Sequence, residues 1–269
     1  MSGFSDAWLT LRESADAVAR SSVVLDRAKA FFSETPETGM LVCDLGAGTG
    51  ASVDAFSHLF RVPLTWQLVD VDASNLALAR TRRPRVGASH DIRVETKVHD
   101  LAKDPAPWSA SACLVTATAL FDLVSIPWLQ EFTAALVRDR LALLATLTYD
   151  GSLELTPRHS LDDGMIDAFN AHQRTNKGFG PAAGPDASGV LESLVMRHGY
   201  EIVSGDSPWR LTIEKDRELI LALLDGWAEA AREIGTIADV DVSRWLEWRK
   251  RETSTFVVGH RDIFAAPTG

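Results

Sequence analysis

Two hydrophobic periods alternate along the first half of this chain. Residues 7–32 carry Trp8, Leu11, Ala15, Val18, Ala19, Val23 and Leu25 at helical spacing among charged positions, which predicts one or two helices. A Pro- and Gly-punctuated loop at 34–39 follows, and then the period changes. Continuous or alternating apolar runs at 40–44, 64–70, 92–98, 112–117 and 140–149 predict five strands, the alternating third run suiting a sheet edge. Helical patterns lie between them at 51–60, at 74–82 with Pro84 beyond it, and at 127–137 with Pro127 in the first turn. Strands joined by helical crossovers imply a doubly wound parallel sheet.

The second half is less regular. Residues 150–189 turn polar and rich in Gly and Pro, with one helix expected at 162–175, so this stretch reads as a partly ordered insertion and a candidate substrate lid. Helices are then predicted at 190–198, 214–234 and 241–251, with strands at 200–204 and 253–260. The last strand would close the sheet as an antiparallel pair. The expectation is an α/β, Rossmann-like doubly wound sheet of about seven strands forming one domain over 39–269, preceded by N-terminal helices within 1–38. Trp227, Trp245 and Trp248 recur at helical spacing among Leu and Ala, which marks core or a subunit contact rather than a ligand cage.

Composition narrows the partners. A formal net charge of -10 over 269 residues, with no basic tract, argues against nucleic acid. No stretch approaches the roughly 18 apolar residues of a membrane span, and the first residues show no basic region followed by an apolar core, so a cytoplasmic protein is expected. Cys43 and Cys113 each sit in an apolar run and read as buried thiols, not as a disulfide or metal pair, and no metal site is expected. Whether the chain is a monomer or a homodimer is left open.

The candidate chemistry gathers where the first strand ends. From Leu41 the sequence reads Leu-Val-Cys-Asp-Leu-Gly-Ala-Gly-Thr-Gly, so Asp44 precedes glycines at 46, 48 and 50. A dinucleotide fingerprint would place its third glycine one position later, at Ala51, and would hold a pyrophosphate on a helix N-terminus. Asp44 would repel that anion but can accept hydrogen bonds from an ammonium group. A cationic amino-acid ligand fits better.

The stretch resembles the first motif of the class I S-adenosylmethionine-dependent methyltransferases, an acid followed by Gly-x-Gly-x-Gly. The likeness continues through Leu68-Val-Asp-Val-Asp, similar to the second motif, and Val98-His-Asp-Leu, over roughly residues 40–120. The resemblance implies S-adenosylmethionine as cofactor, with Asp44, Gly46, Ala47, Gly48 and Gly50 around its amino-acid end. It implies Asp70 on the ribose hydroxyls, Val71 beside it, Asp100 on the adenine amine, and Leu101 and Thr118 nearby. Asp72 reads as a helix cap instead. In this family the leading helices often cover the cleft, and Arg12 or Arg20 would then face it.

The acceptor side is thinner. Asp122, after the fourth strand, and Tyr149 and Asp150, at the end of the fifth, are placed to meet a small-molecule substrate. Within the insertion, Arg174 and Lys177 suit an anionic group and His172 is a candidate general base. The function implied is transfer of a methyl group to an O, N or C nucleophile on a small molecule. A nicotinamide-dependent oxidoreductase and a non-catalytic protein that binds S-adenosylmethionine are the alternatives.

Overall fold

The computed structural model describes residues 5–33, 39–81 and 91–268. Residues 34–38 of the loop expected at 34–39, and Pro84, lie outside them. Two N-terminal helices, α1 (Asp6–Ala19) and α2 (Ser22–Phe31), precede β1 (Met40–Leu45). There follow α3 (Ala51–Phe56), β2 (Leu64–Asp70), α4 (Ala73–Ala79), β3 (Ile92–Val98) and β4 (Leu114–Thr118). After a single 3-10 turn at Phe121–Leu123 come α5 (Ile126–Arg138), β5 (Ala142–Thr156), α6 (Asp162–Gln173) and α7 (Ala187–Arg197). The chain closes with β6 (Tyr200–Asp206), β7 (Trp209–Thr212), α8 (Ile213–Ile234), α9 (Asp239–Glu252) and β8 (Thr255–Pro267).

One sheet organises all of this, in the order β3-β2-β1-β4-β5-β8-β6, with the short β7 pairing β8 beside that path. The five strands from β3 to β5 run parallel. β8 is antiparallel to β5, β6 and β7. Because β1 lies between β2 and β4, the order of the chain reverses there, and a crevice opens beyond the carboxyl ends of those strands. The doubly wound sheet is as expected, and β3 is indeed its edge. β7 is an eighth strand that its four residues did not reveal.

Helices cover both faces. On one side Trp128, Phe132 and Leu136 of α5 meet Leu191 and Val195 of α7 over Cys43, Val115 and Leu143 of the sheet. Facing them across the sheet, Phe56 of α3 and Val24 of α2 pack with Trp66, Leu144 and Phe264. Ser125 caps α5 by accepting the Trp128 N–H at 3.3 Å, with proline in the first turn as its sequence pattern requires.

The insertion expected from residue 150 begins as strand. β5 runs on to Thr156, pairing Leu153–Thr156 with Val258–Thr255 of β8, whose opposite edge carries β7. On this extension α6, α8 and α9 build a third apolar cluster around Trp227, Trp245, Phe256 and Met165. Two of the three tryptophans, Trp227 and Trp245, are thus core, as their spacing implied. α6 is bolted at its start: buried Asp162 pairs with the fully buried Arg249 of α9, and it accepts the Trp245 indole N–H at 2.9 Å and the His159 N–H at 2.7 Å.

Replacing Arg249 with alanine would leave the Asp162 carboxylate buried with its cation gone. Breaking such a pair from one side costs about 3–5 kcal/mol. Urea denaturation of Arg249→Ala should show a loss of that size, and a loss under about 1 kcal/mol would mean that the pair does not anchor α6.

Candidate active site

At the switch point the sequence makes a tight turn. Gly46, Gly48 and Gly50 all take positive φ, between 51° and 79°. Two of these matter sterically. A Cβ at Gly50 would stand 3.0 Å from the Ala79 Cβ, so the turn could not pack on α4 with a side chain there. At Gly48 a Cβ would stand 2.9 Å from Cδ1 of Leu9, which places α1 directly over the turn.

Two carboxylates stand at neighbouring strand ends beside the turn, and Asp70 holds it directly. Asp70 accepts the Gly48 N–H at 2.8 Å on Oδ2 and the Asp72 N–H at 2.9 Å on Oδ1. Each oxygen keeps a second lone pair for a ligand. Asp44 is buried, and its Oδ1 accepts the Thr116 hydroxyl at 2.6 Å, from the residue that faces it in the β1–β4 register. Its Oδ2 is buried with no hydrogen-bond partner. Burial drives the Asp44 carboxyl up to about 7, and the charge of Asp70 pushes the same way, while the Thr116 and Ser52 hydroxyls and the charge of Arg20 pull it back.

Further along the sheet edge, Asp122 is buried in the 3-10 turn after β4, and its Oδ1 also lacks a partner. Burial raises its carboxyl to about 6, against the pull of the charges on Arg12 and Lys177. Tyr149, paired with His260 across β5 and β8, donates its hydroxyl to Asn170 Oδ1 at 2.8 Å. His260 is buried, its Nδ1 meets no partner, and burial and the Arg12 charge lower it to about 3, so its ring stays neutral at ordinary pH.

No protein-family model matches this sequence, and no curated protein matches it. Solved structures do. The cyclopropane synthase of Mycobacterium tuberculosis superposes with a TM-score of 0.51 at 14% identity, covering 98% of this chain and 94% of its own. A candidate type II methyltransferase from Anaeromyxobacter dehalogenans gives 0.50 at 18% identity, with 90% and 95% covered. The fold is that of the class I methyltransferases. At these identities the likeness carries the architecture, and the chemistry must be read from the site.

The structure sorts the residues singled out in the sequence. Asp44, Gly46, Ala47, Gly48, Gly50 and Asp70 converge on the turn, where the Ala47 N–H also bonds the Val69 carbonyl at 3.0 Å. Val71 is 53% exposed just beyond β2, and Thr118 bonds Thr146 at 3.0 Å at the end of β4. Asp100 is a half-buried acid whose Oδ2 lies 2.9 Å from Lys103 Nζ, while buried Leu101 gives its carbonyl to the Trp128 indole at 2.6 Å. Asp72 caps α4, accepting the N–H groups of Ser74 and Asn75, as expected of it.

The insertion's residues are spoken for. His172 Nε2 lies 2.9 Å from Glu233 of α8 and its Nδ1 lies 3.2 Å from Lys177 Nζ. Arg174 pairs with Asp186 at 3.0 Å. Asp150 accepts the N–H and hydroxyl of Ser152 and lines an open surface cavity of about 700 Å³ with Gln130, Glu192 and Arg261, outside the glycine turn. Thr116 and His260 were not singled out in the sequence. Thr116 had a signal, a polar residue inside the buried run that faces Asp44; His260 lay within a predicted strand and had none.

Asp44 should load the fold. In the unfolded chain it titrates near 3.8, so between about pH 4 and 7 the unfolded state has lost a proton that the folded state still holds, and stability falls with rising pH across that window. Asp44→Asn removes this penalty. Chemical denaturation should find the variant close to wild type at pH 4 and more stable at pH 8, by up to about 4 kcal/mol. A variant less stable than wild type at pH 8 would contradict the burial of an unpaired charge.

Proposed function

We propose that this protein is a methyltransferase that moves a methyl group from S-adenosylmethionine to a small molecule. The observation that carries the reading is the buried, unpartnered Oδ2 of Asp44 beside a glycine turn at the switch point of a methyltransferase fold. A buried carboxylate oxygen without a donor is costly, and an ammonium group supplies one. Asp44 would hold the amino end, the backbone from Gly46 to Gly50 would line the chain beside it, and Asp70 would take the ribose hydroxyls. Val71 offers an exposed apolar face to the adenine, with Leu101 and Thr118 flanking the pocket. Asp100 would exchange its surface partner Lys103, an ion pair screened by solvent, for the adenine amine.

When bound, the cofactor supplies a sulfonium methyl already activated for displacement. The chain's part is to orient and to exclude water, which can supply roughly 7–11 kcal/mol. Beyond the turn, Asp122 is the best-placed proton acceptor: its free Oδ1 and a carboxyl raised to about 6 suit taking a proton from an O or N nucleophile near neutral pH. It takes precedence over His172, whose ring is occupied by Glu233 and Lys177. Tyr149 closes the acceptor side, and Lys177, whose charge reaches Asp122, stands near it. Arg174 and Asp150 are secondary, as both already have partners.

A small-molecule acceptor agrees with the net charge of -10, which disfavours nucleic acid. Among the described residues no helix is long and apolar enough to cross a membrane. The two free cysteines suit a reducing cytoplasm.

Thermal shift separates the cofactor classes: S-adenosylhomocysteine should stabilise the protein and NAD should not, and the reverse would sink the proposal. Asp70→Ala should weaken S-adenosylhomocysteine about tenfold to a thousandfold by calorimetry, as expected for two lost charge-assisted bonds. Unchanged affinity would remove Asp70 from the pocket. Transfer itself is tested by incubating the protein with methyl-labelled cofactor and a panel of amines, phenols and carboxylates.

A further inference from the structure

Oxygen, nitrogen and carbon nucleophiles differ in how many hydrogen-bond donors they bring, and the structure is short of donors around Tyr149. His260 of β8, 5% exposed, faces Tyr149 in the β5–β8 register, with ring centres 6.4 Å apart. The Trp209 ring lies 4.9 Å from the same imidazole. His260 Nδ1 is buried and has no hydrogen-bond partner. A neutral imidazole carries one N–H and one bare nitrogen. The carbonyls of Val258 and Ser207 favour a proton on this ring, and with Nδ1 unpartnered that proton belongs on Nε2. Nδ1 is then a bare acceptor.

Asp122 is the second. It is 7% exposed, its Oδ1 has no donor, and the Tyr149 backbone N–H is among the groups that bear on its carboxyl. Asp122 and His260 thus flank one residue, Tyr149, from the 3-10 turn and from β8. The neighbouring donors are engaged elsewhere. Arg12, whose guanidinium carbon stands 5.1 Å from the Trp209 ring centre, is paired with Asp16 at 2.9 and 3.1 Å. Lys177 turns to His172 at 3.2 Å, and the Tyr149 hydroxyl to Asn170 at 2.8 Å. Two buried acceptors beside one residue, one of them a carboxylate, call for a ligand rich in donors and positive in charge. A hydroxyl has one donor, a carboxylate none and an ammonium group three.

We propose that the methyl acceptor is a primary amine whose nitrogen is held between Asp122 Oδ1 and His260 Nδ1. The inference rests on the methyltransferase reading above and fixes its nucleophile. Asp122 takes one proton from the ammonium, which exposes the nitrogen lone pair, and His260 Nδ1 accepts a remaining N–H, which aims that lone pair at the methyl carbon. The N–C bond forms as the S–C bond breaks, the bonding pair stays on sulfur, and the product leaves as a secondary ammonium. Asp122 then returns its proton to solvent. His260 has no part in the cofactor pocket, so the two readings can fail separately.

Calorimetry on the full chain saturated with S-adenosylhomocysteine tests this with matched probes: methylamine, butylamine and benzylamine against methanol, butanol and benzyl alcohol. At least one amine should bind about tenfold or more tightly than its alcohol, as one charge-assisted hydrogen bond requires. His260→Phe, and separately Asp122→Asn, should cut that preference to about threefold or less and leave S-adenosylhomocysteine within about twofold, since the two sites are separate. A purely structural His260 would lower stability in the variant without moving the ratio. Mass spectrometry should find the bound amine N-methylated after incubation with S-adenosylmethionine. Alcohols bound as tightly as amines, no amine bound, an amine bound but never methylated, or a preference intact in His260→Phe overturns the assignment. Should His260→Phe fail to fold, nitrogen-15 NMR of wild type decides: the amine must shift the Nδ1 signal of His260, recognised among the seven histidines as the ring that stays neutral longest on acidification, and an unmoved signal overturns the assignment. Failure of wild type to bind S-adenosylhomocysteine would instead strike the methyltransferase reading itself.

Discussion

A carboxylate taken out of water must find donors, and Asp262 finds three in separate parts of the chain. Fully buried on β8, it accepts the Ser21 N–H at the joint of α1 and α2, the Leu147 N–H and the Ser207 hydroxyl between β6 and β7. Leu147 stands at φ 55°, where the β5–β8 register slips between Ala145 and Thr148. That bulge would be strained for a branched side chain, and the bond from its N–H to Asp262 compensates. The slip also sets the pairing of Tyr149 with His260. One buried acid thus fixes the N-terminal helices, the kink of the longest strand and the Tyr149–His260 pairing against one another.

The rest of the crevice is built on the opposite tactic. Where Asp262 is saturated, Asp44 and Asp122 each keep a buried oxygen without a donor, and burial raises both carboxyls into the neutral range. A chain selected for stability alone would place neutral groups there. The strain is tolerated because the surrounding strands are anchored elsewhere, by cores on both faces of the sheet and by the Arg249–Asp162 bolt. Perturbed carboxyls gathered at a sheet's carboxyl edge are the arrangement on which the proposed site rests.

How much of this could be read from residues depended on the range of the interactions. The parallel half was legible because each strand is a continuous apolar run and each crossover has its own period, and Asp44, Gly48 and Asp70 declared themselves through local spacing. β7 could not be read: Trp209-Arg-Leu-Thr is four residues long and exists only because β8 offers it an edge. β8 itself runs seven residues past the predicted His260, to Pro267, because its second half lies buried between β5 and β6, where Asp262 breaks the apolar pattern for a reason that only the fold shows. The role of His260 was hidden for the same cause, since it depends on Tyr149 across the sheet, whereas Thr116 left a trace as a polar residue inside a buried run.

The same contrast of local and distant contacts separates the insertion from the helix over the turn. The insertion carries flexible-looking glycines, yet α6 is tied at its start to α9, packs Met165 and Ala168 into the third core, and ends with His172 against Glu233 of α8. α1 is held differently. Its Ala15 joins the third core with Trp8, Leu11 and Ala19 packed against it, and beside that apolar face the buried Arg12–Asp16 pair stacks on Trp209. Leu9 is the side chain that a Cβ at Gly48 would meet, at 2.9 Å, so α1 lies over the turn while Asp262 fixes the joint at its end through the Ser21 N–H.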